Sequence, residues 1–316
     1  MTDQLTFVTL DVFTTTPFKG NPLAVVHLPP GLSISQTQKQ TIAREFNLSE
    51  TVFIHDVDSN DQGRSSRHID IFMTDRELPF AGHPTVGTAA YLRLQGVSEL
   101  ITKAGSVPIR FNPDEGLVSV SVPHDTYLNS KSLINIEPTL NTDRLHPNPE
   151  IRLAELKAPL FSIVKGVTFS LIRLASLDHL SQISSGAFPC ESEDVMDAVR
   201  SETYIGRYYY SLMETSISSG GVRTVELRTR MVEAKMEDPA TGSAASALTS
   251  YLALKEYSET DIRFNITQGV EMGRKSEIVV EVKVNIGKNG ERSVNEVQLG
   301  GKAKQITKGT IIIPLV

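Results

Sequence analysis

Residues 82–90 read GHPTVGTAA and residues 237–245 read EDPATGSAA. From His83 and Asp238 onward, four of eight positions are identical, and Thr88 and Ser243 both keep a hydroxyl. Histidine and aspartate are general acid–base groups, so a His in one copy and an Asp in the other is a pattern with chemistry in it. The proline after each suits a first helical position, which makes His83 and Asp238 the expected N-cap residues. Asp caps a helix well and His poorly, so His83 at that place asks for a reason other than capping. A helix start offers free N–H groups and partial positive charge, a seat for a carboxylate or an enolate-like intermediate. Thr88 and Ser243 would add hydroxyl donors. Gly87 and Gly242 either open the first turn to a ligand or permit close helix–sheet packing.

Elements that would position these residues flank both copies. IDIFMT and VELRTR read as strands upstream; AAYLRL and AASALTSYL read as helices downstream. The two phrases lie 155 residues apart, about half of the 316-residue chain. An internal duplication giving two pseudo-symmetric strand–turn–helix lobes explains this pattern. If those lobes face each other across a cleft, the two helix starts converge on one ligand. Elsewhere LTFVTLDVF, LAVVHL, TVFIHDV, LVSVSV, FSLIRL, YYYSLME, IRFNITQGVEMG, EIVVEVKVNIG and EVQLGGKAKQI read as strands. SISQTQKQTIAREF reads as an amphipathic helix with Ser33 as N-cap and Gln36 as its capping-box partner. SEDVMDAVRS reads as a short helix. Asn289-Gly290 marks a hairpin. Many strands, few helices and hairpin connections predict an α+β fold with mainly antiparallel sheets. The polar, proline-punctuated stretch 126–150 reads as a linker, which sets the expected division at residues 1–130 and 131–316, the last strands returning to the first lobe.

Composition narrows the function. A net charge of −6 and a pI near 5.7 imply no basic surface for nucleic acid or anionic lipid. No apolar run is long enough to span a bilayer, and the start of the chain lacks secretory character, so a cytoplasmic protein is expected. The single cysteine, Cys190, cannot form an internal disulfide and reads as a structural thiol. The seven histidines form no HExxH or HxH pair, so no metal is expected. No GxGxxG follows a strand and no P-loop is present, so nucleotide and hydride chemistry have no support and no cofactor is expected.

GNPLAVV (20–26), NLSETVF (47–53), ELPFAGHPTVGTA (77–89), EDPATGSAA (237–245) and QGVEMGR (268–274) together resemble the phenazine-biosynthesis isomerase family, the PhzF-like proteins. The motifs occur in family order and span essentially the whole chain. The resemblance implies a diaminopimelate-epimerase-like fold: two similar lobes, each a mainly antiparallel sheet wrapped round a central helix, with the active site between them. It implies a homodimer. It assigns the catalytic acid–base to Glu50, its partner to His83, a further catalytic carboxylate to Asp238 and a substrate-carboxylate hydroxyl to Ser243, with the backbone at Gly82, Gly87 and Gly242 holding the substrate. A carboxylate whose pKa is raised by burial can take a proton from carbon and return it elsewhere.

The expected function is therefore cofactor-independent proton transfer on a small, cyclic carboxylate. The alternative is a non-catalytic carboxylate-binding protein on the same scaffold. A serine hydrolase built on Ser243, His83 and Asp238 is disfavoured because no GxSxG elbow surrounds Ser243. Epimerases of this fold use paired cysteines at the helix starts; here Cys190 lies outside both motifs, which excludes a two-thiol racemisation.

Overall fold

The computed structural model describes residues 4–58, 65–197, 204–217, 221–233 and 236–315. The chain divides into two units, Met1–Ser121 with Leu299–Val316, and Val122–Gln298.

The first unit contains β1 (Gln4–Val12), β2 (Asn21–Leu28), α1 (Gln36–Phe46), β3 (Thr51–His55), β4 (Ser66–Phe72), β5 (Glu77–Leu78), α2 (Gly82–Leu92), β6 (Glu99–Thr102), β7 (Gly105–Asn112) and β8 (Leu117–Ser121), and is completed by the C-terminal strand Ala303–Ile312. That last strand pairs antiparallel with β1, Leu5 opposite Ile311. On its other side β1 meets β2 antiparallel, Val8 opposite Val25. The order continues through β3, β4 and β6, with β2–β3 and β4–β6 parallel and β3–β4 antiparallel. Helix α2 is buried at every residue except Tyr91, and packs on β1, β2, β3, β8 and the C-terminal strand. Its Ala, Gly, Thr and Val residues let the sheet close round it, as a helix apolar on all sides requires.

The second unit contains β9 (Tyr127–Leu128), α3 (Pro149–Lys157), β10 (Leu160–Val164), β11 (Val167–Arg173), α4 (Leu177–Ser181), α5 (Ser192–Val195), β12 (Tyr204–Ile217), β13 (Arg223–Val232), β14 (Glu237–Asp238), α6 (Gly242–Lys255), β15 (Asp261–Gln268) and β16 (Ser276–Ile286); β17 (Arg292–Gly301) follows. Its pairings repeat those of the first unit: β10–β11 antiparallel, β11–β12 parallel, β12–β13 antiparallel, β13–β15 parallel and β15–β16 antiparallel. Helix α6 is the central element, packed on β10, β11, β15 and β16. Each unit is thus a mainly antiparallel sheet round one buried helix.

The duplication has a register, and it is 160 residues rather than 155. Ile71 pairs with Leu78 as Met231 pairs with Asp238, and Phe72 with Glu77 as Val232 with Glu237. The tight turn closes by Met73 N–H to the Arg76 carbonyl (2.8 Å) in one copy and Glu233 N–H to the Met236 carbonyl (2.9 Å) in the other. Gly82 and Gly242 then begin the helices. In this register ELPFAGH lies over EDPATGS: His83 matches Ser243, Leu78 matches Asp238, and Thr88 has no hydroxyl counterpart.

Other expectations shift for physical reasons. The capping box of α1 is Ser35 with Gln38, two residues later than Ser33 and Gln36. Stretch 126–150 is no linker: Leu133, Leu140 and Leu145 are buried in one cluster with Leu156, Leu160, Val195 and Met196, held by short 3₁₀ turns that show no helical period in sequence. The strand read through IRFNITQGVEMG stops at Gln268, because Gly269 takes a left-handed φ of 71° and starts a turn. EVQLGGKAKQI divides between β17 and the C-terminal strand. Of the helix read in SEDVMDAVRS, Ser192–Val195 is helical, and positions 198–201 lie outside the described residues.

Candidate active site

In the first unit the site begins where α1 ends. Asn47 adopts a left-handed conformation (φ 50°, ψ 36°), and its N–H returns to the Ala43 carbonyl at 3.2 Å, an αL helix stop. Glu50 follows three residues later, just before β3. His83 is the second residue of α2, and its Nδ1 lies 2.9 Å from Glu50 Oε2. The side chains are 5% and 16% exposed respectively. Burial raises the Glu50 pKa, but the hydrogen bond and charge of His83 outweigh it and hold the carboxyl below its usual 4.5. This corrects the expectation of a carboxyl raised by burial. An ionised Glu50 is an acceptor only, so His83 Nδ1–H donates. His83 Nε2 is then the ring's other polar atom; it is buried and meets no hydrogen-bond partner among the described residues.

His83 is not an N-cap. That position belongs to Ala81, which has no side-chain group to cap with. Pro84 therefore sits third in the helix, where its missing N–H costs nothing. Gly82 is the first helical residue. Gly87 is the sixth, beyond the first turn, and packing explains it: a Cβ there would lie 2.6 Å from Val12 Cγ2 and 2.7 Å from Leu23 Cδ2. Thr88 is fully buried inside α2, its hydroxyl without a hydrogen-bond partner among the described residues.

In the second unit Asp238 is also no N-cap. It ends β14, and the N-cap of α6 is Thr241. Thr241 forms no side-chain cap either; its hydroxyl donates to Asp238 Oδ2. Gly242 and Ser243 are the first two helical residues, and the first helix bond, Ala245 N–H to the Thr241 carbonyl at 2.9 Å, leaves their N–H groups without a helical partner. Beside this turn Glu237 accepts two bonds from Arg230, at 2.8 and 2.7 Å, which fixes β14. Its counterpart Glu77 accepts from Lys103 and Gln36, each at 2.8 Å.

Sequence reasoning passed over Thr241, Gln268 and Tyr208, which surround Asp238. The signal lay in QGVEMGR, a motif noted without a role. Among the described residues no group of three or more His, Cys, Asp or Glu is placed to hold a metal ion, and no helix is long and apolar enough to cross a membrane. Cys190 is half-buried, and burial with Asp194 and Glu191 pushes its thiol up to about 11.

Residues 10–309 match the family model described as phenazine biosynthesis-like protein. An uncharacterized isomerase of Mesorhizobium japonicum is 32% identical, over 97% of this chain and 98% of that protein. The trans-2,3-dihydro-3-hydroxyanthranilate isomerase of Pseudomonas aeruginosa is 30% identical, over 96% and 98%. The crystal structure of a PhzF-family phenazine biosynthesis protein from Bacillus anthracis superposes with a TM-score of 0.69 at 18% identity, covering 99% of this chain and 100% of that one. With the fold of the diaminopimelate-epimerase type and full-length relatives named as isomerases, the chain belongs to the phenazine biosynthesis-like (PhzF) family and is an isomerase acting on a small substrate.

Proposed function

We propose that this isomerase moves a proton between carbons of a small, cyclic carboxylate without a cofactor, with Glu50 as the acid–base. The observation that carries the reading is the buried Glu50–His83 pair. His83 holds Glu50 ionised, so the resting group is a base ready to accept a proton from carbon. Once protonated by that transfer, the carboxyl can return the proton to the second carbon. His83 keeps the carboxylate in one orientation, and its buried Nε2 is a polar atom available to a substrate heteroatom. In the second unit we assign Asp238, Gly242 and Ser243 to substrate binding, on the strength of the uncapped start of α6.

The cyclic amino carboxylate named for the Pseudomonas aeruginosa relative is the first compound to test. The non-catalytic alternative has no support from the relatives, which are named as enzymes along their full length.

The experiment is Glu50→Gln assayed on trans-2,3-dihydro-3-hydroxyanthranilate, with deuterium uptake from D₂O followed by mass spectrometry. A panel of cyclic amino carboxylates under the same exchange assay covers the case of a different substrate. Turnover and exchange should fall by about 10³ or more, since a positioned acid–base contributes roughly 10²–10⁴, while binding stays within a few-fold. Turnover within tenfold of wild type removes Glu50 from this role.

A further inference from the structure

Gln268 is the last residue of β15, and its side chain is fully buried. The parallel β13–β15 pairing sets it beside Thr229. Its amide makes four hydrogen bonds. Nε2 donates to the Asp238 carbonyl at 2.8 Å and to Thr241 Oγ1 at 3.1 Å. Oε1 accepts from Thr241 N–H at 3.3 Å and from the Tyr208 hydroxyl at 3.0 Å, the latter also 3.0 Å from Thr229 Oγ1. Two donors and two acceptors are the full capacity of a glutamine side chain. Two backbone partners fix which end is which: the Asp238 carbonyl requires the nitrogen, and the Thr241 N–H requires the oxygen.

This arrangement dictates where the Thr241 proton goes. The hydroxyl has one proton; of its two side-chain neighbours Gln268 Nε2 only donates and the Asp238 carboxylate only accepts, so the proton points to Asp238 Oδ2. A threonine at an N-cap ordinarily accepts from an amide of the first helical turn. Here it does not. Gly269 tightens the same turn from the other side: its φ is 71°, and a Cβ there would lie 2.7 Å from the Pro239 carbonyl oxygen. QGVEMGR and EDPATGS are therefore two halves of one clamp within the second unit.

We infer that Gln268 is a positioning residue for Asp238: it turns the Thr241 hydroxyl onto the Asp238 carboxylate and off the start of α6, leaving the amides of Gly242 and Ser243 to an anionic group of the substrate. The assignment deepens the substrate-binding role proposed above and rests on it. Its physical core, an Asp238 carboxylate stabilised through Thr241 under Gln268 control, is measurable without any substrate.

The test is the titration of the Asp238 carboxylate, followed by ¹³C NMR on aspartate-labelled protein and assigned by loss of the signal in Asp238→Asn. Thr241→Val removes the donated hydrogen bond, so the Asp238 titration should move to higher pH by about one unit. Gln268→Met should move it the same way. The double variant should move it no further than Thr241→Val alone, because both act through one hydroxyl. Thr241→Ser, which keeps the hydroxyl, should stay with wild type. A merely structural role for Gln268 would lower the melting temperature and leave this titration in place.

If Gln268→Met does not fold, Thr241→Val decides the matter, since the Thr241 hydroxyl is the route from Gln268 to the carboxylate. An Asp238 titration unmoved in folded Thr241→Val overturns the inference, as does one unmoved in folded Gln268→Met. If Asp238 moves as expected while Glu50→Gln keeps full turnover, the clamp stands and the acid–base assignment falls, so the two failures are distinct.

Discussion

Replacing His83 with Leu isolates what holds Glu50 ionised. The substitution keeps side-chain volume roughly constant and removes the group 2.9 Å from Glu50 Oε2. Hydrogen bonds to charged groups contribute about 1.5–3 kcal/mol, and stripping one partner from a fully buried pair costs about 3–5 kcal/mol. Glu50 keeps 16% of its side-chain surface in solvent, so the lower range applies, and the loss expected at pH 7 is about 2–3 kcal/mol. The pH dependence is more discriminating than the size. In the native protein burial is outweighed by His83, the folded pKa lies below 4.5, and the stabilisation is present above 4.5 and lost as pH falls through the folded value. Without His83 burial dominates and the folded pKa rises. Ionised Glu50 then destabilises the fold, and stability declines as pH rises beyond 4.5. The gap between wild type and variant should therefore widen from pH 4 to pH 7. Urea unfolding read by hydrogen–deuterium exchange of the peptide covering β3 measures it in the unit that holds the pair. A gap constant across that range, or below about 0.5 kcal/mol at pH 7, refutes the account of the pair.

Gly87→Ala gains about 0.5–1 kcal/mol in helix propensity but drives a methyl into Val12 and Leu23, both wholly buried, at about 1–3 kcal/mol; urea denaturation should show a net loss of about 1–2 kcal/mol. Cys190, with its thiol near 11, should react with Ellman's reagent at pH 8 far more slowly than a free thiol, and Cys190→Ser should leave turnover within twofold.

Much of the frame was legible because duplication leaves a signal in both elements and turns. The buried central helices announced themselves through Ala, Gly and Thr, and the strands through alternation. The register was not legible. GHPTVGTAA over EDPATGSAA counts more identities than ELPFAGH over EDPATGS, yet only the second aligns Phe72–Glu77 with Val232–Glu237. The sequence match paired Pro84 with Pro239, although one lies inside a first helical turn and the other two residues before an N-cap. Proline tolerates both places for the same reason, the lack of an N–H that needs a partner, so it could not tell them apart. The buried leucines of 126–150 were hidden by their spacing, which follows 3₁₀ turns and irregular chain. Glu50 stood out only through the NLSETVF resemblance, not through its residue type or spacing: its structural setting comes from an αL stop at Asn47 and from a histidine 33 residues away.

The corrected register changes what the repeat means. Placed in equivalence, the two helix starts share a glycine at the first helical position and lack a side-chain cap, but they reach that state by different chemistry. Ala81 has nothing to cap with. Thr241 has the right group, and Asp238 and Gln268 divert it. An uncapped, buried helix start leaves N–H groups without partners, a cost ordinarily avoided by a Ser, Thr, Asp or Asn at that position. That one copy forgoes the residue and the other neutralises it argues that free amides are what both copies retain. On that shared frame the side chains have parted: His83 stands where Ser243 stands, an imidazole bound to Glu50 against a hydroxyl, and Leu78 stands where Asp238 stands, an aliphatic group against a carboxylate. The same strand–turn–helix thus holds a glutamate–imidazole pair in one unit and a carboxylate beside an uncapped helix start in the other.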